Sequence, residues 1–275
     1  MTDVKGDLVA ELVAEGLERR EARWLVEEFL PGGDLDAAHA LRVAARRRLN
    51  GEPLQYIIGH WPFRFLDLEV DKRVLIPRPE TEELVSVALT EIASSDVLAP
   101  TILDLGCGSG AIGLSLLYEL QQRGIGATLV AVDESLDALA VARRNALKYK
   151  LHAVSFVHST WFELLDDSLR ARIDLVVANP PYVGDDEFDT LDPVLRHEPR
   201  GAIVSPDVDG VAGFADVSVI ISEAFTWLAP TGVLICEHAN THRDAALALA
   251  HRVGYVEAND LDDLAGQARV LVARR

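Results

Sequence analysis

The stretch "RIDLVVANPPYVG", residues 172–184, runs from β-branched and aliphatic residues straight into an asparagine, two prolines and a tyrosine. A continuously apolar run is typical of a central parallel strand. Proline has no N–H and a fixed φ, and it pushes the preceding residue to extended geometry, so this loop is stiff and its carbonyl groups lack local partners. The Asn179 side-chain oxygen and the Pro180 carbonyl can therefore each accept a hydrogen bond from a planar NH2 group, while Tyr182 closes over its face.

Such a pair of acceptors suits the transfer of a group to an amide or amino nitrogen. An amide nitrogen is a poor nucleophile because its lone pair is shared with the carbonyl. Acceptors that favour positive charge on this nitrogen also aim it at an electrophile, so they supply both orientation and electrostatic stabilisation. No general base is required, since the substituted nitrogen becomes acidic enough to lose its proton to water. The alternative interpretation is that Asn-Pro-Pro is only a turn that ends a strand.

A glycine-rich stretch, "DLGCGSGAIG" at residues 104–113, also follows an aliphatic run. Gly106, Gly108 and Gly110 permit a tight turn and let a ligand approach the backbone closely, and the helix that follows offers free N–H groups. Asp133 ends the next apolar run. Its carboxylate can accept hydrogen bonds from both hydroxyls of a ribose, so these residues predict a site for a nucleoside-type cofactor.

The glycines alone leave the cofactor open. Gly108, Gly110 and Gly113 also satisfy the dinucleotide fingerprint, with an acidic residue about 20 positions later. A dinucleotide-dependent oxidoreductase is therefore an alternative, and so is a loop whose glycines serve only close packing. The Gly-x-Gly-x-Gly spacing after an Asp-Leu strand end resembles instead the S-adenosylmethionine loop of class I methyltransferases, which has no pyrophosphate to hold.

Composition restricts the class of protein. The 275 residues, 49% of them hydrophobic, can bury one large core or one core with a small appended domain. A net charge of -18 repels phosphate backbones, so direct binding of nucleic acid is not favoured. Cys107 and Cys236 lie far apart, and the chain shows neither an apolar leader nor an apolar run long enough to cross a bilayer. We therefore expect a cytoplasmic protein without a metal site.

The elements that position these motifs fall into three parts. Helical spacing of apolar residues predicts one helix over Asp7–Phe29, ended by Pro31-Gly32-Gly33, a second from Asp36 to Asn50-Gly51, and a third that has Pro53 in its first turn. We assign residues 1–60 to this helical domain.

A β-hairpin linker is predicted over residues 61–77. Leu66, Leu68 and Val70 alternate with polar residues before a turn at Asp71-Lys72-Arg73. In residues 78–275, after a helix cap at Thr81, strand-like and helix-like segments alternate, which predicts a doubly wound, mainly parallel α/β sheet. Ligands of such sheets bind beyond the carboxyl ends of the strands, where both motifs lie.

Six stretches, two of them described above, carry a family resemblance: "QYIIG" at 55–59, "VLIPRPETEELV" at 74–85, "DLGCGSGAIG", "VDES" at 132–135, "NPPYV" and "HEPRGAI" at 197–203. The chain resembles the glutamine N5-methyltransferases that modify the Gly-Gly-Gln loop of peptide chain release factors, over almost its whole length. NPPY alone is shared with adenine-N6 methyltransferases and with a sister enzyme that modifies a ribosomal-protein glutamine, whereas "IPRPETE" is similar to the release-factor branch.

The resemblance implies a class I methyltransferase with a seven-stranded sheet, a hairpin linker and an N-terminal helical domain that docks the protein substrate. It implies S-adenosylmethionine as cofactor and release factors as partners in the cytoplasm. The residues that it assigns to the cofactor are Asp104, Gly106, Cys107, Gly108, Ser109, Gly110, Asp133, Asn179 and, against the adenine, Trp161. It assigns Asn179, Pro180, Pro181 and Tyr182 to the target glutamine, with Asn179, Pro180 and Tyr182 as the catalytic residues.

The chain departs from the family pattern at two places. Thr160 stands before Trp161 where the family usually has aspartate, so a hydrogen bond to the adenine amino group is lost or weakened. The loop "SPDVDGVAG", residues 205–213, lacks the usual Gly-Gly. The Thr160 departure is the one feature that favours a catalytically idle binding module. We also hypothesise that Glu198 pairs with Arg200 and pins the loop over the substrate.

Overall fold

A computed structural model describes residues 4–30 and 38–275 of the chain. The first four helices form a small unit with its own apolar core, which includes Leu25, Leu41 and Ile57. Their bounds are α1 Val4–Ala14, α2 Arg19–Phe29, α3 Ala38–Leu49 and α4 Leu54–Ile58.

The single helix expected over Asp7–Phe29 is wrong, because the chain forms α1 and α2 there. The two helices are separated at Gly16, whose φ of 110° lies in the left-handed region where glycine is unstrained. Pro53 precedes α4 as its cap residue rather than opening its first turn. The expected breaker Pro31-Gly32-Gly33 and the expected cap Asp36 lie outside the described residues.

The hairpin consists of β1 His60–Phe63 and β2 Leu66–Glu69, paired antiparallel with Phe63 opposite Leu66. Its turn is therefore Arg64-Phe65. The chain also turns at Asp71-Lys72-Arg73, where the Val74 N–H donates to the Asp71 carbonyl at 3.0 Å, but this turn follows the hairpin and does not close it, so its expected role is wrong. Arg64 has a φ of 51°, which is unusual for a residue with a side chain. Its guanidinium forms an ion pair with Glu119 and donates to the Ser86 hydroxyl at 2.8 Å, so long-range contacts fix the turn.

The remaining chain builds a seven-stranded sheet in the order β5-β4-β3-β6-β7-β9-β8. The first five of these strands are parallel, and β9 runs antiparallel to both β7 and β8. The strands are β3 Thr101–Leu105, β4 Thr128–Asp133, β5 Val154–His158, β6 Ile173–Ala178, β7 Leu228–Glu237, β8 Glu257–Asp262 and β9 Ala268–Arg274. The expectation of a doubly wound, mainly parallel sheet of seven strands is confirmed.

Helices cover both faces of this sheet. One apolar layer contains residues of α5, α6 and α7, and the other contains residues of α9 and α10. The helices are α5 Thr81–Ser94, α6 Ala111–Gln122, α7 Leu136–Lys148, α8 Asp185–Phe188, α9 Ala215–Trp227 and α10 Arg243–Val253.

The register of the central strands brings three chain segments together. Leu105 at the end of β3 lies opposite Ala178 of β6, and Ala178 lies opposite Cys236 of β7. The residues that follow these three, Gly106, Asn179 and Glu237, therefore occupy neighbouring positions at one edge of the sheet. Because the connections from β3 and β6 leave toward opposite sides here, this edge is where a doubly wound sheet binds its ligand.

Candidate active site

The glycine loop takes a backbone conformation that other residues rarely adopt. Gly106, Gly108 and Gly110 have φ values of 68°, 53° and 84°. A Cβ on Gly108 would meet nothing within 4 Å, so the backbone faces open space there. The Cys107 N–H donates to the Val132 carbonyl at 2.8 Å and holds the loop against β4. The loop thus presents bare backbone to a ligand.

Asp133 ends β4 and lies next to the glycine loop. Its two carboxylate oxygens accept the N–H groups of Gly108 at 2.8 Å and of Ser135 at 2.9 Å. Burial raises the pKa of Asp133, and these two hydrogen bonds act in the opposite direction. Each oxygen of a carboxylate keeps a further lone pair, so Asp133 can still accept from two neighbouring hydroxyl groups.

A cavity of about 440 Å³ lies over the glycine loop, within the range of small-molecule sites. Five of the expected cofactor residues line it: Gly106, Gly108, Asp133, Trp161 and Asn179. Four others do not, namely Asp104, Cys107, Ser109 and Gly110. Asp104 lies behind the loop, where its Oδ2 accepts the Gly113 N–H at 2.9 Å and burial raises its pKa to about 7. Asp104 therefore stabilises the glycine-rich segment through Gly113 and does not line the cavity.

Trp161 closes one side of this cavity. Its φ is 44°, and its ring lies so close to Gly106 that a Cβ there would be 3.3 Å from the indole. The indole N–H donates to Asp216 of α9 at 3.1 Å, and both Asp216 and Thr160 line the cavity.

A second cavity of about 230 Å³ opens beside the first. All four residues of the Asn-Pro-Pro-Tyr motif, Asn179, Pro180, Pro181 and Tyr182, line it. Asn179 and Pro181 also line the larger cavity, so the two spaces meet at this motif. The remaining walls of the small cavity are largely apolar, with Arg78 as its charged residue. This shape suits an uncharged side chain that reaches inward to Asn179.

Behind the motif lies a chain of hydrogen bonds. Asn179 Nδ2 donates to Thr81 Oγ1 at 3.1 Å, and the Thr81 hydroxyl donates to Glu237 Oε2 at 2.8 Å. The Tyr182 hydroxyl donates to Glu237 Oε1 at 3.2 Å. Burial raises the pKa of Glu237, and burial with the Glu237 charge raises the pKa of Tyr182, so the phenol stays protonated. The expected cap role of Thr81 is wrong, because Glu80 is the cap residue of α5 and the Thr81 hydroxyl donates to Glu237 instead.

Glu198 does not pair with Arg200. Its carboxylate is buried, accepts the Ile76 N–H at 2.9 Å and pairs with Arg78 at 2.6 Å. Arg200 pairs instead with the exposed Asp185. Glu198 therefore ties the segment after the hairpin to the segment at Pro199, which lines the large cavity.

Sequence reasoning missed several residues of this site. Arg78, Thr81 and Glu198 fall inside the stretches that carry the family resemblance, but sequence reasoning assigned no role to Arg78 and assigned the wrong partners to Thr81 and Glu198. Asp216 and Glu237 had no signal, because neither belongs to a motif and each reaches the site only through the fold.

Two further findings concern ions and membranes. Within residues 4–30 and 38–275, no three His, Cys, Asp or Glu residues are grouped so that they could hold a metal ion. No helix in the described part of the chain has the length and apolar character needed to cross a bilayer.

Gly113 has a role in packing. A Cβ on it would lie 2.7 Å from the Asp104 carboxylate and 3.0 Å from Leu129, and its N–H is already taken by Asp104. Gly113 therefore serves the close packing of α6 against the sheet, and its N–H is not available to a ligand.

Comparison with known proteins agrees with this reading. A family model described as a methyltransferase domain matches residues 99–261. The chain is 38% identical over 235 residues to a release factor glutamine methyltransferase of Coxiella burnetii, covering 86% of this chain and 79% of that protein. It is 37% identical over 276 residues to the release factor glutamine methyltransferase of Bordetella pertussis, covering 96% of this chain and 97% of that protein.

The solved structure of the hMettl16 catalytic domain in complex with the MAT2A 3′UTR hairpin 1 shares the fold, with a TM-score of 0.56 at 15% identity over 97% of this chain and 90% of that one. Identity this low bears on the fold alone. The two relatives match at more than 30% identity over most of their length, and the methyltransferase domain matches more than half of the chain. The chain therefore belongs to the release factor glutamine methyltransferase family.

Proposed function

We propose that this chain transfers a methyl group from S-adenosylmethionine to the side-chain amide nitrogen of the glutamine in the Gly-Gly-Gln loop of a peptide chain release factor. The observation that carries the proposal is that the two cavities meet at Asn179 and Pro181. A ligand over the glycine loop and a side chain in the small cavity would therefore face each other across the Asn-Pro-Pro-Tyr motif.

The residues of the large cavity fit the cofactor. Gly106 and Gly108 offer close backbone approach, Asp133 retains acceptor sites for a ribose diol, and Trp161 offers an aromatic face for adenine. When bound, S-adenosylmethionine supplies an electrophilic methyl group on a sulfonium.

The motif prepares the target nitrogen. Asn179 Oδ1 and the Pro180 carbonyl would accept the two N–H bonds of the glutamine amide, and Tyr182 would cover its plane. These acceptors stabilise positive charge as it develops on the nitrogen and hold its direction toward the large cavity. The proton then leaves to water, because the methylated amide is acidic. Among the described residues that line the small cavity, Arg78 is the charged one, and a cation cannot take up the proton.

The helical unit of residues 1–60 is proposed to dock the protein substrate, with residues 61–77 as the linker and residues 78–275 as the methyltransferase domain. The Tyr56 hydroxyl donates to the Val74 carbonyl at 2.6 Å, and Val74 lines the large cavity. A Cβ on Gly51 would lie 3.8 Å from His197 Nε2, and His197 follows Leu195 of the small cavity by two residues. These contacts join the unit to chain segments that line the two cavities, which supports a docking role.

The proposed partner implies a place of action. Release factors work on the ribosome during translation termination, so we place this reaction in the cytoplasm. The net charge of -18 favours a protein partner over direct binding of nucleic acid.

The test is to incubate the protein with labelled S-adenosylmethionine and a release factor, either intact or with its loop glutamine replaced by alanine. Peptide mass spectrometry then locates the label. Label on that glutamine, absent from the alanine variant, supports the proposal. Label on another protein or on adenine in added nucleic acid, with none on the release factor, overturns it.

A matched pair of variants tests the role of the motif. Asn179→Ala removes one acceptor at the reacting nitrogen and should lower kcat by about 100-fold. Asn259→Ala changes an exposed asparagine on the edge strand β8 and should leave kcat unchanged. Equal activities of the two variants would contradict the role of Asn179.

A further inference from the structure

The Thr81 hydroxyl lies between Asn179 and Glu237, and each hydrogen bond constrains the other. When Glu237 is ionised its carboxylate can only accept, so the single proton of Thr81 goes to Glu237 Oε2, 2.8 Å away. The Thr81 oxygen can then only accept from its other neighbour. The atom of Asn179 that faces it at 3.1 Å must therefore be the NH2 nitrogen.

This order of donors sets the direction of the Asn179 amide. The oxygen and nitrogen of an amide have nearly the same size, so shape alone does not choose between the two orientations. With Nδ2 held by Thr81, Oδ1 is on the opposite side of the planar group. That orientation supplies the acceptor that a target NH2 group needs, whereas the flipped amide would present a donor to a donor.

The far end of the chain of hydrogen bonds is also fixed. Glu237 is fully buried, Thr81 is nearly so, and the second oxygen of Glu237 accepts the Tyr182 hydroxyl at 3.2 Å. Each carboxylate oxygen thus has its own donor. Thr81 starts α5 and Glu237 ends β7, so two rigid elements hold the pair. Neither residue lines either cavity.

We infer that Thr81 and Glu237 are positioning residues that hold the Asn179 side chain with its oxygen toward the target nitrogen. They act through Asn179 and do not touch the reacting atoms. This inference rests on the proposed function, because it explains how the proposed acceptor is oriented.

Two substitutions at Thr81 separate orientation from packing. Thr81→Val keeps the shape of the side chain and removes the hydroxyl, so the Asn179 amide loses its fixed direction. Thr81→Ser keeps the hydroxyl and removes a buried methyl group. We expect Thr81→Val to lower kcat by about tenfold with the Kd for S-adenosylhomocysteine close to wild type. Its thermal midpoint should also fall, because the buried Glu237 Oε2 loses its donor. We expect Thr81→Ser to keep a kcat near wild type despite a lower thermal midpoint.

The control is Thr90→Val, which makes the same change at an exposed threonine of α5. The inference is overturned if Thr81→Val turns over like wild type, or if Thr81→Ser loses as much kcat as Thr81→Val, since a packing role would make serine the worse residue. Failure of the proposed function gives a different result, in which wild-type protein itself leaves the release factor unlabelled.

Discussion

The indole N–H of Trp161 donates to a carboxylate oxygen of Asp216 at 3.1 Å, across a sequence separation of 55 residues. Trp161 lies after β5, and Asp216 lies in the first turn of α9. The Asp216 N–H in turn donates to the buried Ser205 hydroxyl at 3.0 Å. Trp161, the aromatic wall of the proposed cofactor cavity, is therefore held in place by α9, a helix remote in sequence from the glycine loop.

Asp216→Ala should weaken binding of S-adenosylhomocysteine by about tenfold, because the indole loses the acceptor that fixes its ring against Gly106. Asp216→Asn retains an oxygen acceptor and should bind within about threefold of wild type. Titration calorimetry measures both Kd values. Glu223→Gln, an exposed change on the same helix, is the control, and a Kd for Asp216→Ala equal to that of the control would refute the role of Asp216.

Gly213 should be far less tolerant of alanine than Gly210. Both have positive φ, 65° and 78°, so both alanine variants carry backbone strain of about 1–2 kcal/mol. A Cβ on Gly213 would in addition clash with the Tyr182 carbonyl oxygen, whereas a Cβ on Gly210 meets nothing within 4 Å. Gly213→Ala must displace the Asn-Pro-Pro-Tyr loop.

We therefore expect Gly213→Ala to lose most methyl transfer and Gly210→Ala to keep it, with urea unfolding measured alongside. Because both alanine variants carry the strain of a positive φ, a difference in kcat between them reports the contact of residue 213 with Tyr182. Similar kcat values for the two variants would show that the Tyr182 backbone adjusts without consequence for the site.

Much of this site follows from local sequence patterns. A continuously apolar strand, a glycine loop and a proline-stiffened turn each have a physical meaning within a few residues, and a parallel sheet brings strand ends to one edge. This logic predicted that Gly108, Asp133 and Asn179 would meet, and all three line the same cavity.

The partners of these residues could not be predicted in this way. Thr81 and Glu237 are 156 positions apart, and Arg78 and Glu198 are 120 apart. Such pairs are determined by strand register and by how a helix lies on the sheet, which no local pattern encodes. The expected pairing of Glu198 with Arg200 failed because two residues close in sequence can point to opposite sides of a short loop. The hairpin turn was misplaced because a long-range contact fixes it: Arg64 is held in its conformation by Glu119 of α6.

Arg78→Ala should cost more stability than Arg200→Ala. The Glu198 side chain is 1% exposed, so loss of Arg78 leaves a buried carboxylate without its cation, at a cost of roughly 3 kcal/mol. Arg200 and Asp185 are mostly exposed, and loss of that pair should cost less than about 1 kcal/mol. Urea unfolding of both variants measures the difference, and a larger loss for Arg200→Ala would contradict the observed pairing.

The pH dependence of methyl transfer should report the ionisation of Glu237. Burial raises the pKa of this carboxyl, so it takes up a proton at a higher pH than an exposed glutamate. The groups that face it are the hydroxyls of Thr81 and Tyr182, with Arg269 favouring its charge and Glu80 opposing it. Once protonated, Glu237 can donate to Thr81, whose own proton is then free to turn toward Asn179.

We therefore expect kcat to fall as the pH is lowered through the raised pKa of Glu237 and to be constant above it, since the ionised form holds Asn179 in the productive orientation. Glu237→Gln cannot ionise, so its profile should lack this acidic limb whatever its absolute activity. Initial rates at saturating cofactor and substrate, with unfolding followed at each pH, measure both profiles. An acidic limb that persists unchanged in Glu237→Gln would assign the titration to another group, because the variant has no carboxyl at this position to protonate.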